Sequence, residues 1–185
     1  MRFRELLVGA LLVAPHAWAQ QTLAVGDSRV EAAIQKAFPG STAVTISDID
    51  SKGCGPLPER PGFVSGDFDG DGRPDFAALL KIGEAGKVVD WDGRKLHETR
   101  YAFAIFLANS DGGYNLRRVI RFRDYSPLGM FIALQPPGTL QGPGDAQHRR
   151  TITLKRSGIE RISCEKSSVV YYLSGQNVRE FWTSD

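Results

Sequence analysis

The chain carries little sulfur and little imidazole: two cysteines, two methionines and three histidines among 185 residues. His16 falls in an apolar leader, and neither His97 nor His148 belongs to a metal-spaced cluster with cysteine or another histidine. No G-x-S-x-G element and no cysteine-histidine context marks a nucleophile, so a catalytic triad is excluded. His97 beside Glu98 reads as a surface histidine. Neither sign of charge dominates, with 23 basic and 21 acidic side chains. No basic stripe or arginine-rich run is present, which excludes nucleic acid as a partner, because phosphate binding without one is weak at physiological salt. Self-similarity with a period of about 20 to 50 residues is also absent.

What the first residues do contain is an export pattern. Arg2 and Arg4 precede an apolar run over 6–14, and Ala17-Trp18-Ala19 fits the small-x-small site of signal peptidase. Residues 1–19 are therefore expected to be a signal peptide cleaved after Ala19, leaving a single domain over 20–185. Pro15 and His16 stop the run well short of the roughly 20 apolar residues that a membrane helix needs. No cysteine stands at the cleavage point to take a lipid, and no later stretch is apolar enough to span, so no transmembrane anchor is expected after cleavage. Without Arg2, Arg4 and Glu5, 21 basic and 20 acidic residues remain. The expected location is the periplasm or the extracellular space. An oxidising compartment makes a Cys54–Cys164 disulfide the natural pairing, with two buried thiols as the alternative. Closing a loop of that length is worth about 5 kcal/mol in the chain-entropy picture.

The periodicity predicts an α+β, mostly β fold, with an N-terminal helix followed by an antiparallel β meander forming a curled sheet or sandwich. Val30, Ala33, Ile34, Ala37 and Phe38 have helical spacing, with Asp27 or Ser28 as N-cap and Pro39-Gly40 as the stop. Residues 42–49 alternate like a strand, and 51–62 read as an irregular connection. Two hairpins follow, 63–65 with 76–82 and 101–108 with 114–122, the second joined by Ser110-Asp111-Gly112-Gly113. Between them 83–100 is polar, with room for one more strand. Residues 130–134 read as a short strand, 135–148 as a mobile Pro- and Gly-rich loop, and 151–183 as four closing strands.

One segment carries identifiable chemistry: Asp67-Phe68-Asp69-Gly70-Asp71-Gly72-Arg73-Pro74-Asp75, at the tip of the first hairpin. Carboxylates at loop positions 1, 3 and 5 converge when the backbone curls around a point, and Gly72 permits the sharp turn. The Arg73 carbonyl at position 7 and Asp75 at position 9 complete an all-oxygen set. That donor set suits Ca2+ and not zinc or copper. Four carboxylates in nine residues repel one another unless something neutralises them; a solvated turn is the plain alternative. Position 12, where an EF-hand places glutamate, is Ala78, so the loop is not a regular EF-hand.

Residues 63–80 resemble the calcium loop of FG-GAP (VCBS-type) repeats, in which D-x-D-x-D-G-x-x-D lies in a β hairpin. The resemblance implies Asp67, Asp69, Asp71, the Arg73 carbonyl and Asp75 as ligands, with 76–80 as the apolar strand that follows. This chain has one copy and too little length for a propeller of four-stranded blades, so the resemblance extends to the loop alone. The segment 158–185, ending Phe181-Trp182-Thr183-Ser184-Asp185, is similar to small bacterial exported proteins with one such loop, and that likeness implies no activity.

Two further clusters have ordinary structural explanations. Tyr171, Tyr172, Phe181 and Trp182 are read as core on one strand face, with a ligand platform as the alternative. Alternation places Arg117, Arg121 and Arg123 on one solvated strand face, with Arg118 on the other. Taken together, the residues lead to an exported calcium-binding protein whose ion is structural and which serves as an interaction module for an unknown partner at the cell envelope. An envelope hydrolase or hydrolase inhibitor using a cleft beside the loop is the alternative.

Overall fold

The apolar runs 76–80 and 101–106 belong to two neighbouring strands and are buried on both faces, the pattern of a sheet covered on each side. The structure is a computed structural model that describes residues 26–50, 52–91, 93–144, 149–164 and 166–184. The leader, its cleavage site and His148 lie outside the described residues.

Helix α1 (Ser28–Ala37) starts at Asp27, whose carboxylate accepts the N–H of Arg29 at 2.9 Å. Such a bond satisfies one of the orphan donors of the first turn. The strands are β1 (Thr42–Ala43), β2 (Phe63–Gly66), β3 (Asp75–Trp91), β4 (Arg94–Ala108), β5 (Tyr114–Ser126) and β6 (Met130–Gln135). They continue with β7 (Gly138–Gln141), β8 (Thr151–Leu154), β9 (Gly158–Ser163), β10 (Ser167–Ser174) and β11 (Asn177–Ser184). One sheet runs β3-β4-β5, with β1 and β2 both paired to the remaining edge of β3. A second runs β11-β10-β9-β6, and β7 pairs with β8. Every strand ladder is antiparallel, and the expected mostly β, α+β fold with an N-terminal helix is observed.

The alternation of β3 and β4 divides the interior in two. Ala77, Leu79, Tyr101, Phe103 and Ile105 face the second sheet, where Phe103 meets Tyr171 with ring centroids 4.8 Å apart. Phe76, Ala78, Leu80, Ala102, Ala104 and Phe106 face Val30, Ile34 and Phe38 of the helix. The order is thus helix, sheet, sheet. Gly62, leading into β2, could not be replaced without rearrangement, since a Cβ there would lie 2.2 Å from the Val44 carbonyl oxygen.

Four local readings are corrected. The strand expected over 42–49 ends at Ala43, because the backbone N–H and hydroxyl of Thr45 both bond to Asp48 and turn residues 46–48 into a 3-10 helix. The polar segment 83–100 is not a separate strand; it forms the outer arms of β3 and β4, with register shifts near Gly83 and between Glu84 and Val88. Part of the expected loop 135–148 is β7. A register shift between Ile105 and Phe106 places Arg117 in a bulge. Arg118 then faces the second sheet and pairs with Glu180 at 3.0 Å, while Arg121 lies over the Phe38 ring on the helix side.

The disulfide joins Cys54, in the irregular 51–62 connection, to Cys164 beside the β9–β10 turn, with Cα atoms 4.6 Å apart. It fastens the segment before β2 to the second sheet across a sequence separation of 110. No helix among the described residues is long and apolar enough to cross a membrane.

Candidate metal centre

Antiparallel pairing of β2 with β3 brings Gly66 opposite Asp75, so the intervening acidic segment is held at both ends. Within it, Asp67 accepts the N–H groups of Gly70 at 2.6 Å and Gly72 at 3.0 Å. Asp69 accepts the Asp71 N–H at 3.1 Å, and Asp71 accepts the Arg73 N–H at 2.8 Å. Each carboxylate therefore bends the backbone just ahead of it, as aspartates in turns do. Gly70 and Gly72 both have φ +83°, a conformation that disfavours side chains with a Cβ.

The consequence is convergence. One carboxylate oxygen from each of Asp67, Asp69 and Asp71 lies within 4.8 Å of the others. Oxygen ligands of calcium stand at about 2.3–2.6 Å from the ion, so two ligands of one ion are at most about 5 Å apart. The three residues fit that limit. Burial is the largest effect raising the pKa of Asp69, and the negative charges of Asp71 and Asp67 add to it against the pull of the Asp71 N–H and Arg73. Mutual repulsion of this kind is relieved by a cation. Two protein cations already lean on the loop: Arg73 pairs with Asp71, and Arg156, which precedes β9, donates to the Asp69 carbonyl.

Asp75 is placed differently. It is fully buried, and its two carboxylate oxygens accept N–H groups from Phe68 at 2.8 Å, Asp69 at 3.3 Å and Ala108 at 2.8 Å. Burial pushes its pKa up to about 7, opposed by the N–H groups of Ala108 and Phe68. Asp75 is not one of the three converging groups; its carboxylate ties the base of the loop to the end of β4. Of the sequence-derived ligands, then, the structure gathers Asp67, Asp69 and Asp71. The Arg73 side chain turns to Asp71.

Sequence reasoning missed Arg156. Its reach to Asp69 spans 87 positions, and no local spacing signals such a contact. His97 pairs with Val88 at the outer end of β3, and along β4 it lies nine positions from Phe106, the partner of Phe76, or roughly 30 Å at the usual rise per residue. Of the C-terminal aromatics, Tyr171 and Phe181 are buried, Tyr172 is half-buried and Trp182 is exposed.

The class these features define is an α+β protein of helix, sheet and sheet with an acidic loop at the mouth of a hairpin. No known family, curated protein or solved structure matches the chain.

Proposed function

We propose that this is an exported calcium-binding protein in which the ion is structural and the domain serves as an interaction module at the cell envelope. The observation that carries the reading is the convergence of oxygens from Asp67, Asp69 and Asp71 within 4.8 Å on a loop clamped between two paired strands. The donor set is oxygen alone, which matches a hard divalent cation, and the closely spaced carboxylates match calcium's preference for several anionic ligands. The Arg73 carbonyl and Asp75 are proposed to complete the set. For Asp75 this requires that its oxygens keep a lone pair for the ion while holding their N–H partners, which a carboxylate's acceptor capacity allows.

When bound, the ion supplies positive charge where three carboxylates crowd, and the protein residues orient the oxygens and hold the loop shape. Binding to the folded hairpin and not to the unfolded chain adds to stability in proportion to ion concentration over affinity. Export is supported by the leader pattern and by the Cys54–Cys164 bond, which persists in oxidising compartments. The separation of His97 from the loop leaves the hydrolase alternative without a histidine beside the aspartates.

The test is a thermal melt of protein purified from the export compartment, in calcium, magnesium and chelator, with Asp71→Ala beside it. A calcium-specific rise in midpoint that disappears in the variant is expected. An identical midpoint in all three conditions would leave the loop a solvated turn. N-terminal sequencing of the same material is expected to begin at Gln20.

A further inference from the structure

Beside the acidic loop lies a cleft of about 340 Å³ between the segment that links β8 to β9 and the turn after β10, with Phe68 on one wall. Lys155, Arg156, Ser157, Tyr172 and Ser174 also line it, and among the described residues no acidic one is part of the lining. Lys155 makes no ion pair among the described residues. Arg156 is anchored, since one guanidinium nitrogen donates to the Asp69 carbonyl. A guanidinium has five N–H donors in a fixed fork, so this anchor leaves others free to bind a ligand while limiting the side chain's freedom.

We propose that this cleft binds a small carboxylate-bearing sugar, a hexuronic acid of a single ring. Two cations with no acidic side chain among the lining residues select an anion. The hydroxyls of Ser157 and Ser174 both donate and accept, which suits a ligand that presents hydroxyl groups. The half-buried Tyr172 supplies aromatic carbon above the buried Phe68, so the lining is mixed and not purely ionic. The volume is at the small end of the range for ligand pockets, about 300–1,000 Å³, which admits one ring and not a folded partner. The carboxylates of Asp67, Asp69 and Asp71 are not among the lining residues, while Phe68 and Arg156 join the cleft to the loop that would hold the ion.

Titration calorimetry at low ionic strength on the exported protein, with glucuronate, glucose and inorganic phosphate as probes, tests the assignment. Runs in calcium and in chelator separate it from the metal reading. Glucuronate is expected to bind at least about tenfold more tightly than glucose, the scale of one good charged hydrogen bond, and more tightly than phosphate, which has no ring to lie against Tyr172. Lys155→Gln, an exposed substitution whose melting temperature is expected to match the parent, is expected to lose about tenfold in glucuronate affinity for the same reason. Glucose binding as tightly as glucuronate would overturn the requirement for an anion. Phosphate binding as tightly would overturn the sugar. Absence of glucuronate binding in both conditions, or an unchanged affinity in Lys155→Gln, would overturn the site.

Discussion

Asp27 and Asp75 are both carboxylates that accept backbone N–H groups, and their surroundings make them behave in opposite ways. The half-buried Asp27 bonds to the Arg29 side chain and N–H, and these hold its pKa at about 2. A folded-state pKa depressed below the ordinary 3.8 means that the stabilisation is present above the unfolded value and disappears as pH falls through the folded one. The stability difference between the parent and Asp27→Asn, which keeps a capping side chain but not the charge, is therefore expected to be present at about pH 5 and mostly lost by about pH 2. Denaturant melts across that range check it, and a difference that persists at pH 2 would mean the charge is not the cause. Asp75 instead lies where three N–H donors need an acceptor. Removing it by Asp75→Ala is expected to cost about 3 kcal/mol even in chelator, because buried donors are left without partners. Asp71, which is exposed and bonds mainly to its own turn, is expected to cost well under about 1 kcal/mol as Asp71→Ala under the same conditions. Urea unfolding of both variants in chelator separates the two roles. Equal losses would show that Asp75 serves only the metal.

At the scale of elements, the Cys54–Cys164 bond is the longest-range fixture, closing a sequence separation of 110 between the connection before β2 and the end of β9. Replacing both cysteines with serine is expected to lower stability by about 2–5 kcal/mol, read from the urea midpoint with an unchanged slope. A loss of under about 1 kcal/mol would mean that the unfolded chain is already constrained there. This bond, the helix and the hairpin that carries the aspartates were legible in the sequence, because each rests on a local or compositional signal: Val30, Ile34 and Phe38 at helical spacing, an Asp-Gly loop between apolar runs, two cysteines with one pairing. The parts that were not legible depend on neighbours remote in sequence or on small side-chain bonds. Residues 84–90 and 95–98 lack alternation because the outer arms of β3 and β4, which run past the end of β5 as a two-stranded ribbon, have many exposed positions, so no buried face imprints a period. β1 stops early because Thr45 and Asp48 bond to each other, and Arg117 leaves the face of Arg121 and Arg123 because it is the extra residue of a bulge in β5. The same division holds at the candidate site. Carboxylate spacing announced the loop, but neither the N–H groups that engage Asp75 nor the hold of Arg156 on Asp69 has a local pattern.

For the whole molecule, the doubly buried centre of β3 and β4 lies between the helix and the second sheet and packs against both. The helix packs on Phe76, Leu80, Ala102 and Phe106, and the second sheet packs on Leu79, Tyr101, Phe103 and Ile105, so loss of either strand exposes both interfaces. Cooperative unfolding in one transition follows, since both outer layers lose their central apolar partners when this pair opens. The aspartate loop begins at the β2–β3 pairing and is bonded through Asp75 to Ala108, so it is attached to this centre and not to the peripheral ribbon. Hydrogen exchange followed by mass spectrometry is expected to show the slowest amides in 76–80 and 101–106, at the rate of global unfolding, and fast exchange in 84–90. Calcium is expected to slow exchange in 67–75 and, through the shared strand, to slow the central amides by the same free energy that raises the melting temperature. Protection confined to the loop, with the centre unchanged, would mean that the loop orders locally without stabilising the fold. An ion of that kind would hold a binding surface in shape and not the domain.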